Sequence, residues 1–418
     1  MTQLLEHLQP LGATSGPVDL QIEDATIRSV RPSAGKSAGP ARIAFPGFIN
    51  AHTHLPMVLL RGLADDVPLH IWLERHVWPL EKRLTPEDVY WCTLLAIAEG
   101  IRSGSTAFVD MYFHHDQIAR AVEESGVRAL LSYGMIASSM DDGGAEELAK
   151  TRTFVKTWNG RAHGRIRVAV APHSVYTCGE DVWRESIELA DTLGVPIHTH
   201  AAETRREVDD WKERTGASPV QYLDRLGAFA VPTVLAHCVH VDEADIETLA
   251  RGKAVVAHCP KSNAKLGSGV APVAAMKRAG VRVALGTDGA ASNNRLDMLE
   301  ELRAAWLVQR AHFEDASVLT SAEAVSMAIE PARALFGLPE DGLVEGAPGD
   351  LVVFDTSGVH ATPEHDAEAM IAYASQSADV TDVWVDGKPL LECGELRTID
   401  EERVKSEVRR LLHRIKNR

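Results

Sequence analysis

No hydrophobic stretch in this chain approaches the ~20 residues of a membrane span, and the opening segment MTQLLEHLQPLGATSG has neither the basic stretch nor the apolar run of a secretory leader. A cytoplasmic protein with no membrane partner is the expectation. Cysteine is scarce and oddly counted: Cys92, Cys178, Cys238, Cys259 and Cys393 form no CxxC pair, which argues against a disulfide framework and against a structural zinc held by thiolates. Basic charge is the short side, 43 Lys and Arg against 59 Asp and Glu for a net charge of -16, so a phosphate-binding surface is not expected and nucleic acid is not a partner. Low-complexity tracts and internal repeats are missing too.

What remains is an ordinary globular composition, 45% hydrophobic and 24% charged, with material for a large core. Eight apolar β-like runs alternate with helix-like stretches: around Phe48 to His54, Thr106 to Tyr112, Arg128 to Ile136, Ile166 to His173, Pro196 to Ala201, Thr233 to Cys238, Ala254 to Cys259 and Arg282 to Thr287. Eight strands close a barrel, so the expected fold is α/β, a (β/α)8 TIM barrel. The flanks VDLQIEDATIRSVRP and DVTDVWVDGKPLLECG alternate apolar and polar residues. They are expected to meet in one small β-sandwich domain, with boundaries at 1–46, 47–340 for the barrel, and 341–418 including a terminal helix. In that helix, Val404, Val408, Leu411, Leu412 and Ile415 form an apolar stripe that reads as a packed face.

Barrel enzymes take their chemistry from the C-terminal ends of several strands, and the runs here end on metal-type or acid-base residues. His52 and His54 stand two apart in PGFINAHTHLP, so a strand turns both imidazoles to one face. With His200 of VPIHTHAAE and Asp288 of VALGTDGAASNN they make up the ligand count of a catalytic zinc site, although iron or manganese also suits such donors. Glu203, three residues beyond His200, is placed to move a proton, and His237 of LAHCVH to position a water or polarise the substrate. His198 reads as a core histidine or a partner of a ligand, His258 as support or substrate contact, and Asp110 as a carboxylate orienting a ligand. His240 reads as a loop histidine.

PGFINAHTHLPMVLLRG, DMYFH, APHSVYTC, HTHAAE, LAHCVH, HCPKSNAKLGSGVAPV and GTDGAASNN together resemble the amidohydrolase superfamily in its ATZ/TRZ branch, and most closely the 5'-methylthioadenosine/S-adenosylhomocysteine deaminases. The resemblance runs over the barrel and both flanks. It implies one metal on His52, His54, His200 and Asp288, since the fourth strand ends AVAPHSVYT without the lysine that bridges two metals in some relatives. It also implies hydrolytic replacement of a 6-amino by a 6-oxo group. In that reaction Asp288 accepts a proton from the attacking water, Glu203 protonates a ring nitrogen and His237 steadies the attacking oxygen.

By the same resemblance His173 meets the purine, Ser292 lies near the heterocycle, Trp72 lines the nucleoside pocket and Glu81 accepts hydrogen bonds from the ribose. A homo-oligomer follows from family habit. Tyr133 and Ala145 stand where members that handle S-adenosylhomocysteine well carry arginines, so a preference for 5'-methylthioadenosine, 5'-deoxyadenosine or adenosine is expected. The rival substrates are 6-amino-6-deoxyfutalosine, guanine or a triazine. A rival of another class is a catalytically silent barrel serving as a binding or assembly module.

Overall fold

The computed structural model describes residues 2–12, 16–34, 42–63, 66–67, 69–340 and 342–416. Four strands, β1 (Thr2–Pro10), β2 (Val18–Glu23), β3 (Thr26–Pro32) and β4 (Arg42–Phe45), precede the barrel. The barrel strands are β5 (Phe48–Thr53), β6 (Ser105–Tyr112), β7 (Arg128–Met135), β8 (Ile166–Pro172), β9 (Ile197–Ala201), β10 (Thr233–His237), β11 (Ala254–His258) and β12 (Arg282–Leu285). Each hydrogen-bonds its sequence neighbour in parallel, with helices between, as the eight apolar runs predict.

Side chains such as Val109, Leu130, Val234 and Val255 fill the barrel interior, and Leu335 and Phe336 belong to the same buried cluster. The interior is therefore packed, and chemistry is left to the strand ends. Barrel closure depends on the first and last strands. Asn50 donates to the Thr287 hydroxyl at 2.8 Å and accepts from the Thr287 N–H at 2.9 Å, while the Asp288 N–H donates to the His52 carbonyl at 2.9 Å. A Cβ on Gly286 would stand 2.7 Å from the His52 backbone nitrogen, so only glycine permits this approach.

β13 (Leu351–Phe354), β14 (Val380–Val385), β15 (Lys388–Glu392) and β16 (Glu395–Leu396) join β1–β4 in a single eight-stranded sheet, ordered β16-β15-β14-β13-β4-β1-β2-β3. Both chain ends thus build one small β unit. Its two arms approach each other where a Cβ on Gly387 would meet Ile22 and Ala25, and Leu8, Leu20 and Ile27 share a buried cluster with Leu351, Val353 and Trp384. The buried Arg128 guanidinium at the start of β7 ties this unit to the barrel, donating to both Asp350 oxygens at 2.6 and 2.9 Å.

The helix Pro86–Arg102 begins where the sequence signals it, with Thr85 and Asp88 forming a reciprocal capping box and proline in the first turn. The terminal helix Glu401–Lys416 lies along it and buries Val404, Val408, Leu411 and Ile415. Leu412, expected on the same stripe, lies at its edge, about 80° around the helix from Val404, and is 38% exposed. Among the described residues no helix is long and apolar enough to cross a membrane.

Candidate active site

The barrel seam brings Asp288 beside the histidines of β5. Its Oδ1 lies 3.5 Å from His52 Nε2 and 3.3 Å from His54 Nε2, and the His200 and His54 Nε2 atoms are 3.3 Å apart. His52, His54 and His200 each offer a ligand atom within 4.8 Å of the others. The opposite ring nitrogens are all engaged: His54 Nδ1 with the Met111 carbonyl at 2.6 Å, His200 Nδ1 with the His173 carbonyl at 2.9 Å, and His52 Nδ1 with His198 Nε2 at 2.9 Å.

Carbonyl partners require Nδ1 to carry the proton, which leaves each Nε2 as a lone pair aimed at the common point. The His198 link reaches the same result by a longer route. The Ser132 hydroxyl donates to the Asp110 carbonyl at 2.7 Å and so accepts from His198 Nδ1 at 3.0 Å, and His198 Nε2 then accepts from His52. His198 is therefore buried as a core histidine would be, and its partner is His52.

Among the described residues the buried His52 Nε2 atom has no hydrogen-bond partner. Burial holds the His52 ring down at about 4 and the His200 ring well below its ordinary range, so both are neutral at physiological pH. Neutral imidazoles converging beside a carboxylate fit a divalent cation and fit little else. Asp288 is fixed by the Gly289 N–H at 2.8 Å on Oδ1 and by the Ser262 and Ser292 hydroxyls at 2.6 and 2.7 Å on Oδ2. Its φ of 59°, with 76° at His237 and 52° at Ala202, concentrates strained left-handed backbone at the strand ends.

A cleft of about 770 Å3, open to solvent, lies over this group, and Trp72, Glu81, His173, Glu203, His237 and Ser292 all line it. Glu203 is buried, and burial pushes its carboxyl up; His237 Nε2 stands 3.8 Å from it. Burial would lower the His237 ring, but the Glu203 and Asp288 carboxylates outweigh it and the net direction is upward. Burial also raises Glu81, whose Oε1 accepts from the Tyr112 hydroxyl at 2.6 Å. His173 is pressed down by burial to about 3 and stays neutral. Ser292 reaches the cleft wall, but its hydroxyl is held by Asp288.

Two positions expected to govern specificity lie elsewhere. Tyr133 packs its ring on His115, centroids 4.9 Å apart, and Ala145 is exposed at the start of the helix Gly144–Trp158; neither lines the cleft. Strand alternation explains Tyr133: Ser132 and Gly134 face inward from β7, so the residue between them faces the helices. His258 is fully buried with neither ring nitrogen bonded among the described residues, outside the cleft lining, and His240 Nε2 donates to the Ser268 carbonyl across a loop. Asp110 accepts from the Thr53 hydroxyl and the Leu55 N–H, fixing the turn that follows His54.

Several supporting side chains escaped the sequence reading. Asn263 Oδ1 accepts from His237 Nδ1 at 2.9 Å, Ser262 holds Asp288, Tyr112 holds Glu81, and Glu207 accepts the backbone N–H groups of Ala202 and Glu203. Their only signal in the sequence is position: small polar residues just past a strand end, a tyrosine as the last residue of a strand, or an acid in the first turn of the next helix.

Comparison with known proteins agrees with this geometry. The model of the amidohydrolase family matches residues 43–390. A protein of Desulforamulus reducens named 5-methylthioadenosine/S-adenosylhomocysteine deaminase is 47% identical over 409 residues, covering 97% of this chain and 90% of its own. One of the same name from Pelotomaculum thermopropionicum is 46% identical over 381 residues, covering 91% and 88%. Among solved structures, an adenosine deaminase from Xanthomonas campestris with bound zinc superposes with a TM-score of 0.92 at 36% identity, over 99% of this chain and 98% of its own. A zinc-complexed atrazine chlorohydrolase from Arthrobacter aurescens shares the fold, with a TM-score of 0.89 at 22% identity over 98% and 99%. With lone-pair imidazoles and a carboxylate gathered at the mouth of an eight-stranded barrel, and with these likenesses over nearly its whole length, the chain belongs to the amidohydrolase family.

Proposed function

We propose that this protein is a metal-dependent hydrolytic deaminase of adenosine-type nucleosides, converting a 6-amino to a 6-oxo group with release of ammonia. The observation that carries the reading is the juxtaposition of three imidazole Nε2 atoms and Asp288 with a buried Glu203, its carboxyl raised by burial, at one cleft. The names of the relatives at 46% and 47% identity, and of the zinc-bound adenosine deaminase at 36%, support the substrate class.

His52, His54, His200 and Asp288 would hold the metal, zinc by the evidence of the relative, with iron or manganese suited to the same donors. Such a cation, when bound, lowers the pKa of water from 15.7 toward about 7 and so supplies a nucleophile at neutral pH. Asp288 accepts the proton released on attack. Glu203, its carboxyl raised by burial, gives a proton to the ring nitrogen beside the attacked carbon. His237, oriented by Asn263, donates to the oxygen being added. Glu81 takes the ribose hydroxyls with the oxygen that Tyr112 leaves free, while Trp72, His173 and Ser292 flank the base and sugar.

No Lys or Arg lines the cleft among the described residues, whereas Glu81, Glu203 and Asp288 do. Its lining also carries Trp78, Ile136 and Tyr176, which are 39%, 54% and 48% exposed. An amino-acid tail would bring its carboxylate to apolar surface without a counter-charge. We therefore expect kcat/KM for 5'-methylthioadenosine to exceed that for S-adenosylhomocysteine by about tenfold or more. Equal values would contradict the preference.

The reading itself is tested by ammonia release from adenosine, 5'-deoxyadenosine, 5'-methylthioadenosine, S-adenosylhomocysteine and 6-amino-6-deoxyfutalosine, beside guanine and an aminotriazine, with zinc supplied. The 6-aminopurine nucleosides are expected to lead, and faster turnover of guanine or the triazine would overturn the assignment. A homo-oligomer is proposed on family habit alone. The division at 1–46, 47–340 and 341–418 is proposed from the strand bounds.

A further inference from the structure

Glu207 has no cationic partner among the described residues and no place in the cleft lining, yet it sits a few residues from the proposed proton donor. It lies in the first turn of the helix Arg205–Thr215, whose N-cap Thr204 accepts the Glu207 N–H at 3.1 Å. In a capping box the acid at this position returns to the N–H of the cap residue. Glu207 reaches further back: Oε1 accepts from the Ala202 N–H at 3.0 Å and Oε2 from the Glu203 N–H at 2.8 Å. Both carboxylate oxygens are thus spent on two consecutive peptides.

Those peptides form the hub of the site. Ala202 has a φ of 52°, a left-handed conformation that a residue with a Cβ adopts only when its surroundings enforce it. Its carbonyl accepts the N–H groups of Val239 and His240, both at 2.9 Å, and the Ala201 carbonyl accepts the Cys238 N–H at 3.0 Å. The segment gripped in this way follows His237 directly, where φ is 76° at His237 and 45° at Cys238. One carboxylate therefore secures the peptide that bears Glu203 and, through the Ala202 carbonyl, the turn that aims His237 at it, their side chains 3.8 Å apart.

We infer that Glu207 is a positioning residue for the proton-handling pair, holding Glu203 and His237 in register through the backbone of Ala202. The inference rests on the deaminase reading. It assigns Glu207 no contact with substrate or metal: the side chain acts through the angle and depth of its two clients, where small displacements cost rate far more than affinity.

Glu207→Gln is the direct test, because it keeps the shape of the side chain while turning one acceptor oxygen into an amide NH2 that faces a backbone N–H. With 5'-methylthioadenosine as the probe, kcat is expected to fall by about 10- to 100-fold. KM should stay within about threefold, since ground-state contacts are untouched. Zinc content should match wild type, and Tm should fall by no more than a few degrees, the cost of one mispaired backbone N–H. The double variant Glu203→Gln/Glu207→Gln should lose less than the product of the two single losses, because Glu207 acts largely through Glu203. Asp209→Asn, an exposed acid on the same helix, should leave kcat unchanged.

Full kcat in Glu207→Gln, losses that multiply in the double variant, a loss carried by KM, a parallel fall in zinc content, a Tm lowered by more than about 10 °C, or an equal loss in Asp209→Asn would each overturn the inference. Wild-type protein silent on every adenine nucleoside would instead overturn the deaminase reading, so the two failures are told apart.

Discussion

Replacing Glu203 by Gln is expected to lower kcat on an adenine nucleoside by roughly 10²-fold or more, the scale of general acid-base catalysis, with metal content unchanged. The residue stands beyond the end of β9, buried, with His237 Nε2 at 3.8 Å and its own N–H gripped by Glu207 at 2.8 Å. Burial, opposed by the His237 ring and reinforced by the Asp288 carboxylate, raises the Glu203 carboxyl above the ordinary carboxylate range, the direction a general acid requires. Glutamine preserves the shape and one hydrogen-bond donor but has no proton to transfer. Steady-state kinetics with metal analysis on the same preparation separates the two effects. Turnover equal to wild type would remove Glu203 from the mechanism.

Asp288→Ala should damage metal retention and turnover together. The carboxylate stands 3.3 and 3.5 Å from two of the proposed ligand nitrogens, and its loss also leaves the Gly289 N–H and the Ser262 and Ser292 hydroxyls without the acceptor they share. Loss of an outer partner alone costs a metal site about 10- to 100-fold in affinity, and removal of a ligand should cost at least that. Without the proton acceptor as well, turnover is expected to fall by roughly 10³-fold. Zinc titration followed by activity at saturating metal reads both effects. A variant that binds zinc like wild type and turns over normally would contradict the assignment of Asp288 to either role.

These two predictions differ in how much of their basis is legible in the sequence. Asp288 ends an apolar run and Glu203 follows another at short spacing, so both stand out locally; the company that gives them their properties does not. Ser262, Ser292 and Asn263 are small polar residues of a kind found in any loop, and nothing in their neighbourhood says that two hydroxyls hold Asp288 or that an amide orients His237. Tyr133 shows the converse. An aligned position suggested a specificity role, but the register of β7 turns that ring onto His115 and leaves Gly134 and Ile136 to line the cleft.

The sequence alone determined the eight barrel strands, the two flanks that join in one sheet, and the histidines and acids at the strand ends, because β-periodicity and turn chemistry act between near neighbours in the chain. Tertiary structure decided which way each side chain points at the mouth and which nitrogen of each imidazole is bare. The bonds responsible join segments far apart in sequence: His52 to His198, Asp288 to the His52 carbonyl, and the Ala202 carbonyl to the N–H groups of Val239 and His240. Those contacts exist only once the barrel has closed, when Gly286 admits the first strand against the last and strained backbone at Ala202, His237 and Asp288 is held by the surrounding packing.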